Sequence, residues 1–134
     1  MNWIHIAEAS VLAIILASFT DWYFFGILFH NRYHSTPGVW KQYKDKKDEM
    51  RSISISMLYQ SITSVVFIIA CSYLQVNTLV PAMIAALVVW VMVPLPLLLS
   101  YGVFIRMDRL IIVSHSLGWL ARLLITAACI SLFS

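Results

Sequence analysis

The sequence predicts an all-α integral membrane protein. The expected fold is a bundle of four transmembrane helices with both termini outside, and a basic cytoplasmic loop containing a short amphipathic helix. Three observations lead there. Hydrophobic residues make up 61% of the 134 residues and charged residues 11%, against about half and a quarter in a soluble domain. From Ser52 to Ile105 there is no Asp, Glu, Lys or Arg. Of the nine Lys and Arg residues, all but Arg122 lie in two segments. A soluble enzyme is excluded, because such a chain cannot cover a water-facing surface with polar groups. Disorder is excluded by high apolar content and low net charge, and a disulfide scaffold by the presence of only two cysteines.

Each span follows from the charge map and the roughly 20 apolar residues that one crossing needs. Residues 1–134 form one transmembrane domain with spans at about 4–29, 53–74, 79–104 and 110–133. The charge-free run is too long for one crossing and turns at Gln75-Val76-Asn77-Thr78, just before Pro81. Met1-Asn2-Trp3-Ile4-His5 carries no Lys or Arg, and Glu8 would fall inside an apolar stretch. The first twenty residues are therefore expected to span the membrane rather than act as a signal peptide. Arg32, Lys41, Lys44, Lys46, Lys47 and Arg51 follow span one, and Arg106 and Arg109 follow span three. The positive-inside rule puts both segments in the cytoplasm and both termini outside. Trp3, Trp22, Tyr23, Trp40, Tyr101 and Trp119 sit mostly near span ends, where aromatic rings with a polar edge belong.

The loop at 30–52 is the only sizeable polar piece. Thr36 followed by Pro37 reads as an N-cap and first helical position. Val39, Trp40, Tyr43, Lys47 and Met50 then share a face, with Lys41/Asp45 and Lys44/Asp48 at i,i+4. Such a helix lies on the inner membrane surface, its lysines touching anionic lipid at about 1 kcal/mol each, or it docks a cytoplasmic partner. There is no internal repeat, low-complexity tract or nucleic-acid motif, so no nucleic-acid partner is expected.

Ionisable residues inside spans are the best functional pointers, since each costs roughly 2.5–3.5 kcal/mol at a helix centre. They are Glu8 and Asp21 in span one, and His115 and Arg122 in span four. Arg122 and Glu8 both lie in the outer half, so an ion pair between them is expected, the alternative being that Arg122 binds an anionic group or gates a pathway. Asp21 and His115 lie at similar depth in the inner half, so they are expected to meet, as a hydrogen bond or a proton relay. Glu8 and Asp21 are about 140° apart around a straight helix, so both cannot face span four squarely. That leaves room for a bend or for a second subunit. Span two adds a polar stripe of Ser56, Gln60, Thr63 and Ser64, with Tyr59 beside it. It reads as helix-packing glue or as a cavity lining. Pro94 and Pro96 should kink span three. Trp22, Tyr23, Trp90 and Trp119 are candidate aromatics for a ligand pocket.

His30 and His34 are four apart, a weak metal pair. Four histidines in all exclude the eight-histidine di-iron desaturase class. No cofactor is expected, haem included, because His115 and His30 do not match in depth. Cys71 and Cys129 lie at depths that permit a bridge in an oxidising compartment, or stay as buried thiols. No Ser–His–Asp grouping, phosphate loop or CxxC occurs, so enzymatic chemistry is not the leading expectation.

The run Asp21-Trp22-Tyr23-Phe24-Phe25-Gly26-Ile27-Leu28-Phe29, with Trp40 beyond it, resembles a bacterial family known as domain of unknown function 1761. Asn2-Trp3 resembles the family's Asn-Trp start, and Ser114-His115-Ser116-Leu117-Gly118-Trp119 its small and aromatic residues in the last helix. The chain departs by lacking a proline after the Trp-Tyr pair, and by carrying Asp21, Arg122 and a more charged loop. The resemblance implies a four-helix protein of the bacterial inner membrane and carries no activity with it.

The leading functional expectation is an oligomeric transporter or channel for a small solute or ion with proton involvement. Its path would run past Glu8, Asp21, Gln60, His115 and Arg122, and its partners would be the bilayer, anionic lipid and further copies of itself. The alternatives are a non-transporting accessory subunit, and a membrane-embedded ligand-binding protein or enzyme.

Overall fold

The computed structural model describes residues 1–28, 30, 31, 38, 41, 43–105 and 107–134. Arg32, Tyr33, His34, Thr36, Pro37, Val39, Trp40 and Arg106 lie outside the described residues, and with them the expected helix start at Thr36-Pro37. Helix is the local structure a lipid-embedded chain adopts, because every backbone polar group must bond within its own segment. Helix α1, Trp3–Asp21, continues without a break into a π-helical stretch, Trp22–Leu28. Next come α2, Lys46–Tyr73, α3, Leu79–Met92, α4, Pro94–Phe104, and α5, Arg109–Leu132. With α1 and its π end as one span, and α3 with α4 as another, four helices among the described residues are long and apolar enough to cross a membrane.

Three spans match the sequence expectation to within a residue, and the second does not. Helix α2 starts at Lys46 rather than near Ile53, because a cap decides the boundary. Asp45 is extended, and its carboxylate accepts the Asp48 N–H at 2.8 Å. Asp48 and Glu49 then occupy the first turn, where negative charge complements the helix dipole. Asn2 caps α1 and Asp108 caps α5 in the same way, at 2.8 and 2.7 Å. The expected amphipathic helix does not run through to Met50. Lys44 and Asp45 form a bend, while Lys47 and Met50 belong to α2. Lys41 pairs with Asp48 at 3.2 Å rather than with Asp45.

The turn between α2 and α3 falls where the polar step places it. Gln75 takes a left-handed conformation (φ 58°), and Val76 N–H closes onto the Cys71 carbonyl at 2.8 Å. The break between α3 and α4 falls at Val93 (φ −123°, ψ −70°). The ring of Pro94 disfavours the helical conformation for the residue before it. Pro94 then starts α4, where its missing N–H costs nothing.

Helix α5 is the centre of the bundle. It packs against all the other spans, with α1 and α2 touching on one side and α3 and α4 on the other. Its most apolar stretch is 44% buried inside the protein, against 11–17% for the other three. Two stripes of small residues bring the neighbours close. Ala9, Ala13 and Ala17 are fully buried along one face of α1, and Ala82 and Ala86 along one face of α3. Without a hydrophobic driving force between helices in lipid, backbone approach at small residues supplies the packing. The outward faces are apolar, as at Phe19, Val66, Ile84, Val91 and Val103.

Met1, Val76 and Phe133 pack on one core cluster, so both termini and the α2–α3 turn gather at one end. The opposite, loop end is more open. No residue of Trp22–Leu28 is buried, and α2 buries only Ser64, Phe67, Ile68 and Cys71. Trp90 ties α3 to α5 by donating its indole N–H to the Ser116 carbonyl at 3.0 Å. Trp90→Phe is expected to cost about 0.5–1.5 kcal/mol, measured as a shift in the reversible unfolding midpoint in mixed micelles.

Candidate functional site

Asp21 is the last residue of α1 before the π-helical stretch and ends the same face as Ala9, Ala13 and Ala17. Arg122 lies on the face of α5 that meets it. Its Nη2 donates to Asp21 Oδ2, forming an ion pair across the helix interface. Arg122 is 2% exposed and Asp21 8%. By rise per residue, Arg122 is roughly 15 Å from the end of α5 at Leu132, so the pair sits deep in the span.

This pairing corrects the sequence expectation, in which Arg122 met Glu8 and Asp21 met His115. In a helix every Cα–Cβ bond tilts toward the helix N-terminus. Helices α1 and α5 are antiparallel, and Asp21 lies nearer the loop end than Arg122. The Arg122 side chain therefore leans toward the loop end, and that of Asp21 toward the termini end, so each leans at the other. Glu8 leans away, toward the near end of α1, and is exposed. It lies only roughly 7.5 Å from that end, within reach of a membrane interface.

The pair is part of a short polar line. The Thr126 hydroxyl donates to the Arg122 carbonyl at 2.8 Å and sits 3.3 Å from the Ser64 hydroxyl of α2. All three residues are buried. Arg122 Nη1 is buried and has no hydrogen-bond partner among the described residues. One turn along α2, Gln60 is half-buried and donates to Ser56 Oγ at 3.2 Å. His115 stacks on the Phe25 ring, with centroids 4.8 Å apart and planes at 38°. A methyl at Gly118 would stand 3.3 Å from Phe25 Cζ, so the bare glycine makes room for that ring.

The candidate pocket aromatics differ in their surroundings. Trp22 and Tyr23 are 63% and 50% exposed, while Trp90 is committed to Ser116. A groove of about 250 Å³ lies elsewhere, at the termini end, lined by Met1, Trp3, Ile6, Ile69 and Ser72 among others. His30 is exposed and His34 lies outside the described residues. Among the described residues no three His, Cys, Asp or Glu side chains gather to hold a metal. Cys71 and Cys129 are buried free thiols in the same core cluster, which corrects the disulfide alternative.

Sequence reasoning missed Phe25 and the alanine stripes. The stripes were visible as small residues every fourth position; the ring contact of Phe25 had no such signal. Chemically, the site joins a permanent cation to a carboxylate able to take a proton, both buried in the bundle.

No curated protein and no solved structure matches the chain. A family model described as Protein of unknown function (DUF1761) matches residues 9–131. With nearly its whole length matched, the chain belongs to the DUF1761 family.

Proposed function

We propose that this protein is a small transporter or channel-like protein for a small solute or ion, working with a proton and as an oligomer in the inner membrane. Both termini lie outside, and the basic loop lies at anionic lipid in the cytoplasm. The buried Asp21–Arg122 pair carries this reading. An apolar pair would hold two helices together at least as well as a buried ion pair. Ionisable groups held deep in a membrane instead mark ion and proton pathways. Protonation of Asp21 releases Arg122 from its partner, which turns a neutral pair into a charged site. The π-helical stretch that begins next to Asp21 supports the reading, because such segments are frequent at functional sites. Helix α5 fills the bundle axis, so a conducting path runs beside it or between subunits.

The test is proton flux into liposomes that carry the purified protein, followed with a trapped pH dye under an imposed pH gradient. Flux above that of empty liposomes is expected, with a loss of about tenfold or more in Asp21→Asn. Wild-type flux equal to that of empty liposomes, or full flux in folded Asp21→Asn, contradicts the proposal.

A further inference from the structure

The Ser64–Thr126 contact fixes the register of α2 against α5. Both helices run from the loop end to the termini end, so they are parallel. One turn back toward the loop end from that contact lie Gln60 on α2 and Arg122 on α5, at one level. Gln60 is rotated by only about 40° from Ser64 around α2, so it stays on the side that faces α5. It is nevertheless only half-buried, and Ile53 to Tyr59 below it are all exposed. Toward the loop end from the level of Arg122, α2 is thus exposed rather than packed on its neighbours.

Two polar groups with unused capacity lie at that level. Arg122 Nη1 is a buried cationic donor without a partner among the described residues. The Gln60 carboxamide makes one hydrogen bond among the described residues, at 3.2 Å to its own helix, and that bond is easily exchanged. The Ser64 hydroxyl stands one turn above. This set consists of donors around one positive charge. Among the described residues that charge is balanced by Asp21.

We infer that the Gln60–Arg122 level is a binding site for a small monovalent anion, taken up together with one proton on Asp21. The inference rests on the transport reading above and names its substrate class. The charge balance is simple. A proton adds to the Asp21 carboxylate, the Arg122–Asp21 ion pair is lost, and the anion takes its place opposite the guanidinium. The site is neutral before and after, which is what the low-dielectric surroundings require. A lipid headgroup phosphate does not reach it, since Arg122 lies roughly 15 Å from the nearer helix end. The ionisable groups on the elements packed around the helix of Asp21 are Arg109, His115, Arg122 and Cys129 on α5, Tyr23 in the π-helical stretch, and Tyr59, Cys71 and Tyr73 on α2, whose first turns add Lys46, Lys47, Asp48, Glu49 and Arg51. Tyr23 and Tyr59 are 50% and 66% exposed, and His115 is two turns from Arg122 against Phe25.

The experiment is calorimetric titration of the full chain in lipid nanodiscs with chloride, formate or acetate, against gluconate as the baseline. Saturable binding of at least one of the three is expected. Its affinity should rise as pH falls, by at most about tenfold per unit while Asp21 is ionised. Gln60→Leu, which leaves the helix core untouched, should weaken binding about tenfold or more. Asp21→Asn, a permanent mimic of the protonated acid, should bind with a flat pH dependence. Three results overturn the site: no binding of any of the three anions to wild type, binding unchanged in Gln60→Leu, or pH dependence that survives in Asp21→Asn. Binding without flux in the liposome assay keeps the site and overturns transport. Proton flux without anion binding overturns the site and leaves the transport reading standing.

Discussion

Asp21→Leu is expected to be the most damaging single change in the chain, at about 3–5 kcal/mol. It leaves the Arg122 guanidinium buried at 2% exposure with no counter-charge. Arginine does not shed its proton, so the charge has no escape. Arg122→Leu should cost less, because the orphaned Asp21 becomes neutral by taking up a proton. The joint variant Asp21→Leu/Arg122→Leu should recover most of the lost stability, since a well-packed apolar pair is often as good as a buried ion pair. All four proteins are compared by reversible unfolding in mixed micelles. Equal costs for the two single variants, or a joint variant that is additive, would contradict the pairing. A joint variant that is stable but gives no proton flux in the liposome assay is the result the transport proposal expects.

Ala13→Leu should be the second large effect, at about 1–3 kcal/mol or more. Ala13 has no exposed surface and sits mid-stripe between Ala9 and Ala17, where α1 lies close against α5. A larger side chain pushes the two backbones apart and also lengthens the reach from Arg122 to Asp21. Its control is Ile15→Ala, two residues away and 49% exposed on the outward face, which should change stability by less than about 0.5 kcal/mol. The same unfolding assay reads both. An Ile15→Ala cost equal to that of Ala13→Leu would show that α1 presents a different face to α5.

The architecture was legible because the bilayer imposes it. The lack of charge from Ser52 to Ile105, the polar step at Gln75–Thr78 and the prolines at 94 and 96 left little choice of spans, turn or kink. The start of α2 was misplaced because the eye follows hydropathy, whereas Asp45 sets the boundary by a hydrogen bond. The residues of the site were legible for the same reason as the spans: Asp21 and Arg122 stand out where charge is costly. Their pairing was not, because depth counted along the helix axis ignores the tilt of side chains toward each helix N-terminus. Glu8 and Arg122 share a leaflet by residue count yet lean apart. Asp21 and Arg122 are offset along the axis and lean together. The central position of α5 has a weaker signature in Ser114, Ser116, Gly118 and Thr126, small or hydroxyl residues that let neighbours approach from several sides.

The central claim is that Arg122 meets Asp21 inside the bundle. It is tested most directly by thiol cross-linking in native membranes, with Cys71 and Cys129 first replaced by Ala. Asp21→Cys/Arg122→Cys should be joined by a short bifunctional reagent, and Glu8→Cys/Arg122→Cys should not. Cross-linking between positions 8 and 122, with none between 21 and 122, would contradict the account.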